Sequence, residues 1–191
     1  MTIQALSGIA AGVLEFATCA IYVWSILKGE TKPDRVTWWI LALVSGMITV
    51  SYYASGARET IWLPLAYAIS FLIISILSLK YGEGPASLHT LDRVSLIGTV
   101  ASAGVWWVVR SPVPALFMNI CTEFIGLVPT INKSYRRPWT ESRASWVMAT
   151  IASLLNVFAI GEWTVIIATY PVYVFVTNAL IALFILRKKS P

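Results

Sequence analysis

The sequence predicts an all-α membrane protein with seven transmembrane helices. They form two parallel three-helix repeats joined by a linker helix. Three observations predict it. The chain is 58% hydrophobic and 12% charged, with a mean hydropathy of +0.75. An ordinary soluble domain carries about 25% charged residues. This chain has too little polar surface to cover a globule, so its solvent is lipid. Apolar runs of membrane-crossing length recur seven times. Finally, Glu15 and Glu123 each interrupt such a run, 108 positions apart, and that offset lays Arg35-Val36-Thr37-Trp38 on Arg143-Ala144-Ser145-Trp146 without a gap.

A spanning helix needs roughly 20 mostly apolar residues, within a range of about 17–25. The first run, 3–27, holds Glu15. It is too long for a signal-peptide core and lacks a basic leader, so it is expected to stay in the mature protein. The second, 36–54, aligns Ser45, Thr49 and Tyr52 on one face, and the third, 61–79, carries Pro64, Tyr67 and Ser70. Residues 81–92 form a Gly/Pro-bearing connector, with Asp92 placed to cap the fourth run, 94–109. There Gly98-x-x-x-Ser102 has the small-residue spacing of close helix packing. The fifth run, 111–131, carries Asn119, Glu123 and Pro129; the sixth, 144–160, carries Thr150, Ser153 and Asn156; the seventh, 163–186, carries Tyr170, Pro171, Tyr173, Thr177 and Asn178. The fourth and sixth are short and are expected to extend into their flanks. The chain then divides into a first bundle (1–80), a connector with linker helix (81–110) and a second bundle with a short basic tail (111–191).

The repeat ties these segments together. Between 15–38 and 123–146 the identities are Glu, Phe, Arg and Trp; Lys28 meets Arg136, Thr37 meets Ser145, and further on Ser45 meets Ser153. After a one-residue deletion Pro64 meets Pro171, Ser70 meets Thr177 and Lys80 meets Arg187. A repeat of three helices plus one linker helix sets both halves in the membrane in the same orientation, as parallel repeats about an axis along the bilayer normal.

The net charge of +5 could suggest a nucleic-acid partner, but its distribution points to the bilayer. Of 14 cations, 12 fall in alternate connections and the tail, and only Arg58 and Arg110 fall on the other side. The positive-inside rule puts the N-terminus outside and the C-terminus in the cytoplasm, in a plasma or inner membrane. Tryptophans 38, 39, 62, 106, 107, 146 and 163 cluster near segment ends, as in an interfacial aromatic belt. Trp38 and Trp146 stand apart, because the repeat fixes them beside Arg35 and Arg143 as a cytoplasmic motif. Cys19 and Cys121 lie in apolar runs and read as small hydrophobes.

The one histidine, His89, lies in the connector, and the chain has no CxxC, P-loop or GxGxxG. The last run contains no lysine for a Schiff base. No enzyme chemistry, cofactor or metal site is expected. What remains is polar. An ionisable residue at bilayer depth is costly, so it marks a functional site by default. Glu15 and Glu123 lie about ten residues from either end of their helices, too far to snorkel, and no basic residue shares an apolar run with them. They suit substrate binding or proton coupling. Asn119, Asn156, Tyr173, Asn178, Tyr67 and Ser153 are candidate cavity-lining groups on the matching faces. Ser45, Thr49, Ser70 and Thr150 read as hydrogen-bonding glue between helices. Pro64, Pro171 and Pro129 are candidate hinges, since proline removes a helical hydrogen bond; Ile21 stands opposite Pro129 in the repeat, so that bend is not duplicated.

Three plus one plus three helices with parallel halves resemble the SWEET and PQ-loop transporters. The Pro-Gln dipeptide that names the latter is absent; Thr31-Lys32-Pro33-Asp34-Arg35 and Arg137-Pro138-Trp139-Thr140-Glu141-Ser142-Arg143 stand in its place. Leu14-Glu15-Phe16, Ile21-Tyr22-Val23-Trp24-Ser25-Ile26-Leu27 and Thr37-Trp38 look similar to the opening of the bacterial nicotinamide riboside transporters (PnuC type). The resemblance implies a central substrate site between the bundles and transport of a small polar or cationic metabolite by alternating access. A heptahelical receptor of the same fold that binds without transport is the alternative, and a channel is a third. The expected partners are a small-molecule substrate and the lipid bilayer; substrate identity and oligomeric state, a homo-oligomer included, are open.

Overall fold

The structure is a computed structural model that describes residues 1–30, 32, 33, 35–82, 90–136, 138 and 142–187. Seven α-helices account for most of them: α1 (Ile3–Leu27), α2 (Arg35–Ala54), α3 (Trp62–Tyr81), α4 (Thr90–Val109), α5 (Pro112–Arg136), α6 (Arg143–Phe158) and α7 (Val165–Leu186). A 3-10 turn, Glu59–Ile61, leads straight into α3. No strand occurs among the described residues.

Helix starts follow local chemistry. Thr2 accepts from the Ala5 amide at 3.2 Å, Ser142 from Ser145 at 3.3 Å and Thr164 from Ile167 at 3.2 Å, each satisfying an amide that has no intrahelical partner. Asp92, the cap expected for the fourth helix, lies two residues inside α4, and its side chain is outside the described residues, as are the connector residues 83–89 with His89, and Lys188 and Lys189 of the tail.

Five stretches are long and apolar enough to cross a membrane: α1, α2, the 3-10 turn with α3, α5 and α7. All seven expected runs are helical, and the other two fall short of that length within the described residues. The stretch Arg93–Val109 of α4 and the whole of α6, Arg143–Phe158, are apolar but shorter. At 1.5 Å per residue the 16 residues of α6 rise only about 24 Å. Ala159 caps α6 just before the Gly161-Glu162 turn, so α6 ends before its expected extension.

The helix pairings are alike in the first three and the last three helices. In the first three helices α3 packs against both α1 and α2; in the last three α7 packs against both α5 and α6. Across the halves α1 packs on α6 and α2 on α5. Exchanging α1, α2, α3 with α5, α6, α7 maps these six pairings onto themselves. Helix α4 packs on α5 and α2 and has no counterpart. Small residues allow the closest approaches. A Cβ on Gly8 would fall on the Glu59 carbonyl, and one on Gly12 would lie 3.0 Å from the Trp62 carbonyl. A Cβ on Gly98 would run into Thr122 Oγ1, and Ser102 donates to Asn119 Oδ1 at 2.9 Å, so the Gly98-x-x-x-Ser102 face of α4 is its seat on α5. The outward surface is apolar, with Val13, Ile76, Ile97, Val100, Leu183 and others more than half exposed.

The hinge candidates differ among themselves. Pro171 lies inside α7 and leaves the Ile167 carbonyl without its helical donor. The Tyr52 hydroxyl, from the other half, donates to that carbonyl at 2.6 Å and pairs with the Thr60 hydroxyl at 2.8 Å. Pro64 sits in the first turn of α3 and by the same rule leaves the Thr60 carbonyl without its donor. Position 129 was expected to interrupt the fifth helix, yet α5 continues unbroken to Arg136; the Pro129 side chain is outside the described residues.

Candidate functional site

Both acids point inward, away from the lipid-facing surface. Glu15 is 4% exposed and Glu123 8% exposed. Helix α1 brings Glu15 to the interior on the face that also buries Gly8, Ala11, Gly12 and Cys19. Helix α5 brings Glu123 there beside Asn119, Ile120 and Thr122, all buried. Oε2 of each acid has no hydrogen-bond partner among the described residues. Tyr67 of α3 lies within electrostatic range of both. The Tyr173 hydroxyl faces Glu123, and Tyr170 lies within range of Glu123, Tyr67, Tyr173 and Tyr52.

The aromatic rings of the interior form two runs of contacts. Tyr52 and Tyr170 ring centroids are 5.5 Å apart, Tyr170 and Tyr173 6.4 Å, and Tyr173 and Phe124 6.5 Å. The second run goes from Tyr67 to Phe71 at 5.4 Å, from Phe71 to Trp38 at 5.4 Å and from Trp38 to Tyr22 at 5.2 Å. Trp38 is therefore a packing residue of the interior, and not part of a lipid-facing belt. Trp24, Trp39, Trp62, Trp107 and Trp163 are exposed, between 37% and 71%.

Asn178 joins three helices. Its Nδ2 donates to the Tyr67 hydroxyl at 3.3 Å, the Ala149 carbonyl at 3.3 Å and Ser153 Oγ at 3.4 Å. Tyr67, Ser153 and Asn178, expected as cavity-lining groups, thus meet at one point. Asn119 is placed differently. Its Nδ2 donates to the Ala115 carbonyl at 2.8 Å and its Oδ1 accepts from Ser102, so both amide ends are spent at the α4–α5 seam. Asn156 is fully buried, and neither amide atom has a partner among the described residues. The Tyr170 hydroxyl, Ser45 Oγ and Ser70 Oγ share that condition. One of the four residues expected as glue between helices acts so: Thr49 of α2 donates to the Pro64 carbonyl of α3 at 3.0 Å, besides the Ser45 carbonyl at 2.8 Å, whereas Thr150 donates to the Trp146 carbonyl of its own helix at 2.7 Å. Ser45 and Ser70 keep their hydroxyls unpaired.

The repeated Arg-Trp pair begins the second helix of each half, but the halves use it differently. Arg35 Nε donates to the Ser78 carbonyl at 3.0 Å, closing α2 on α3. Arg143 is exposed at the first turn of α6. Two contributors escaped the sequence reading. Tyr52 was read only as part of a polar face, although it bridges the halves. The spacing Gly8-x-x-x-Gly12 was visible and marks the α1–α3 contact. No group of three or more potential metal ligands occurs among the described residues. Comparison of the chain with protein families, with curated proteins and with solved structures finds no match.

Proposed function

We propose that the protein is a transporter of a small polar or cationic metabolite, working by alternating access between two like three-helix bundles, with all seven helices in the membrane. The observation that carries this reading is the enclosure of two repeat-related acids in one interior, with Tyr67 within electrostatic range of both. Keeping an ionisable group at bilayer depth is expensive and marks a solute or proton path. The exchange-symmetric helix pairings supply two walls able to rock about a shared site, as in other transporters built from repeats. The parallel-repeat architecture resembles that of the SWEET and PQ-loop transporters. Tyr52, bound to Ile167 at the end of the bundle where α1 begins, closes that end against α7. The charge distribution puts this end outside and the C-terminus in the cytoplasm.

Purified protein in liposomes, screened with a panel of amines, nucleosides and sugars, should show saturable flux for a member of the panel. Glu15→Gln or Glu123→Gln should reduce that flux at least tenfold or remove its dependence on pH. Equal flux by the parent and both variants would sink the assignment of the acids. Binding without flux would identify a receptor, and conductance that does not saturate would identify a channel.

A further inference from the structure

The two halves match in their acids but not in the polarity around them. At the repeat offset of 108, Asn156 of α6 stands where the first half has Ile48. At the offset of 107 that relates α3 to α7, Tyr170 stands where the first half has Leu63, and Tyr173 where it has Ala66. All three first-half residues are completely buried and apolar. Their second-half counterparts carry the amide and the Tyr170 hydroxyl, which lack partners among the described residues, and the Tyr173 hydroxyl, which faces Glu123. Ile48, Leu63, Ala152, Tyr170 and Val174 belong to one core cluster, with Tyr173 packed against it, so the polar and apolar faces meet in the same interior.

Asn156 is placed by helix register. Ser153 and Ala149, one and two turns earlier on the same face of α6, contact Asn178 of α7. Since α7 returns antiparallel after a short turn, Asn156 is carried to the level of Tyr170–Val174. A buried amide left unpaired costs roughly 1–3 kcal/mol. Ile48 shows that the duplicated position accepts a hydrocarbon side chain. An amide kept there at that cost is explained by a ligand that supplies the missing partners.

We propose that Asn156 is the specificity-determining residue of the interior site, and that the substrate is amphipathic: one edge with a hydrogen-bond acceptor beside a donor, set against Asn156, Tyr170 and Tyr173, and an apolar body set against Ile48 and Leu63. The proposal rests on the reading of this interior as a solute site and narrows its substrate class. A site built to hydrogen-bond a ligand rejects an analogue lacking that group, because its own buried polar atoms are then left unpaired. The donor–acceptor edge can come from a carboxamide, a lactam or a nucleobase, which share this chemistry.

The test uses thermal unfolding of the full chain in detergent with three probes of one ring system: benzamide, acetophenone and toluene. They offer acceptor and donor, acceptor alone, and neither. A ligand that binds the native state raises its apparent stability. Benzamide should bind at least tenfold more tightly than acetophenone, and toluene more weakly still. Asn156→Leu should erase the benzamide preference while leaving the ligand-free melting temperature unchanged or higher. Adenine and uracil in the same assay separate a nucleobase source of the edge from a simple carboxamide. Equal affinities for benzamide and acetophenone, no shift with any probe, or a benzamide preference that persists in a folded Asn156→Leu each overturn the proposal. The wild-type comparison decides even where the variant does not fold. Liposome flux distinguishes the two readings: a benzamide preference without flux of any solute removes transport alone, and flux without the preference removes this inference alone.

Discussion

At the residue scale, the interior is held by a few hydrogen bonds whose partners are far apart in sequence. Tyr52 is the clearest. Its hydroxyl caps the carbonyl that Pro171 leaves free, 115 residues away, and its ring lies against Tyr170. A carbonyl stripped of its helical donor away from water must find another, since a buried unsatisfied acceptor costs roughly 1–3 kcal/mol. Tyr52→Phe should therefore destabilise the fold by about that amount while keeping nearly all the ring packing. Thermal or chemical unfolding in detergent measures it, and a melting temperature equal to the parent's would show that this bond contributes nothing. The sequence marks Pro171 and predicts a freed carbonyl, but nothing local names the donor, because the contact belongs to the meeting of two halves. The same limit explains Asn119. Its side chain looks like a site group on its own helix, and only the docking of α4, through Ser102, reveals that it is occupied.

At the element scale, much was legible. Apolar periodicity and charge boundaries place every helix end within a few residues, apart from the outer ends of α4 and α5, because lipid as solvent demands long uninterrupted runs. Arg35 and Arg143 mark the starts of α2 and α6, as the repeat implies. Helix length was less legible: α6 stops at Phe158, where the chain turns through Ala159 and Gly161, although the apolar run continues to Ile160. Close packing has its own sequence mark, and it carries a prediction. Gly8 and Gly12 let α1 meet the 3-10 turn and Trp62 backbone to backbone, and neither position leaves space for a larger side chain. Overpacking typically costs about 1–3 kcal/mol, and more where the obstacle is backbone. Gly8→Leu should lower the melting temperature more than the same change at Gly46 or Gly104, where a Cβ meets nothing within 4 Å. Equal tolerance at the three glycines would mean that α1 does not seat against α3 this way.

At the scale of the whole molecule, the pairings of α1 with α6 and α2 with α5 set the two halves against each other along two parallel seams. The acids lie one on each side of this division, and Tyr67 of the first half meets Asn178 of the second. No covalent link besides the connector is needed to explain the arrangement, since both cysteines are free and Cys121 is exposed. Helix association in lipid rests on packing and hydrogen bonds already present in these seams. Two fragments, 1–82 and 90–191, co-expressed in one membrane should therefore assemble and co-purify through a tag on either one. Gly98→Val, which unseats α4, should weaken their association only slightly, because α4 belongs to the second fragment and meets the first chiefly through α2. Association should weaken strongly when the interior contacts are cut together by Tyr52→Phe and Asn178→Ala. Fragments that never associate, or that associate equally well after the double change, would show that the connector, and not the interior, holds the halves together.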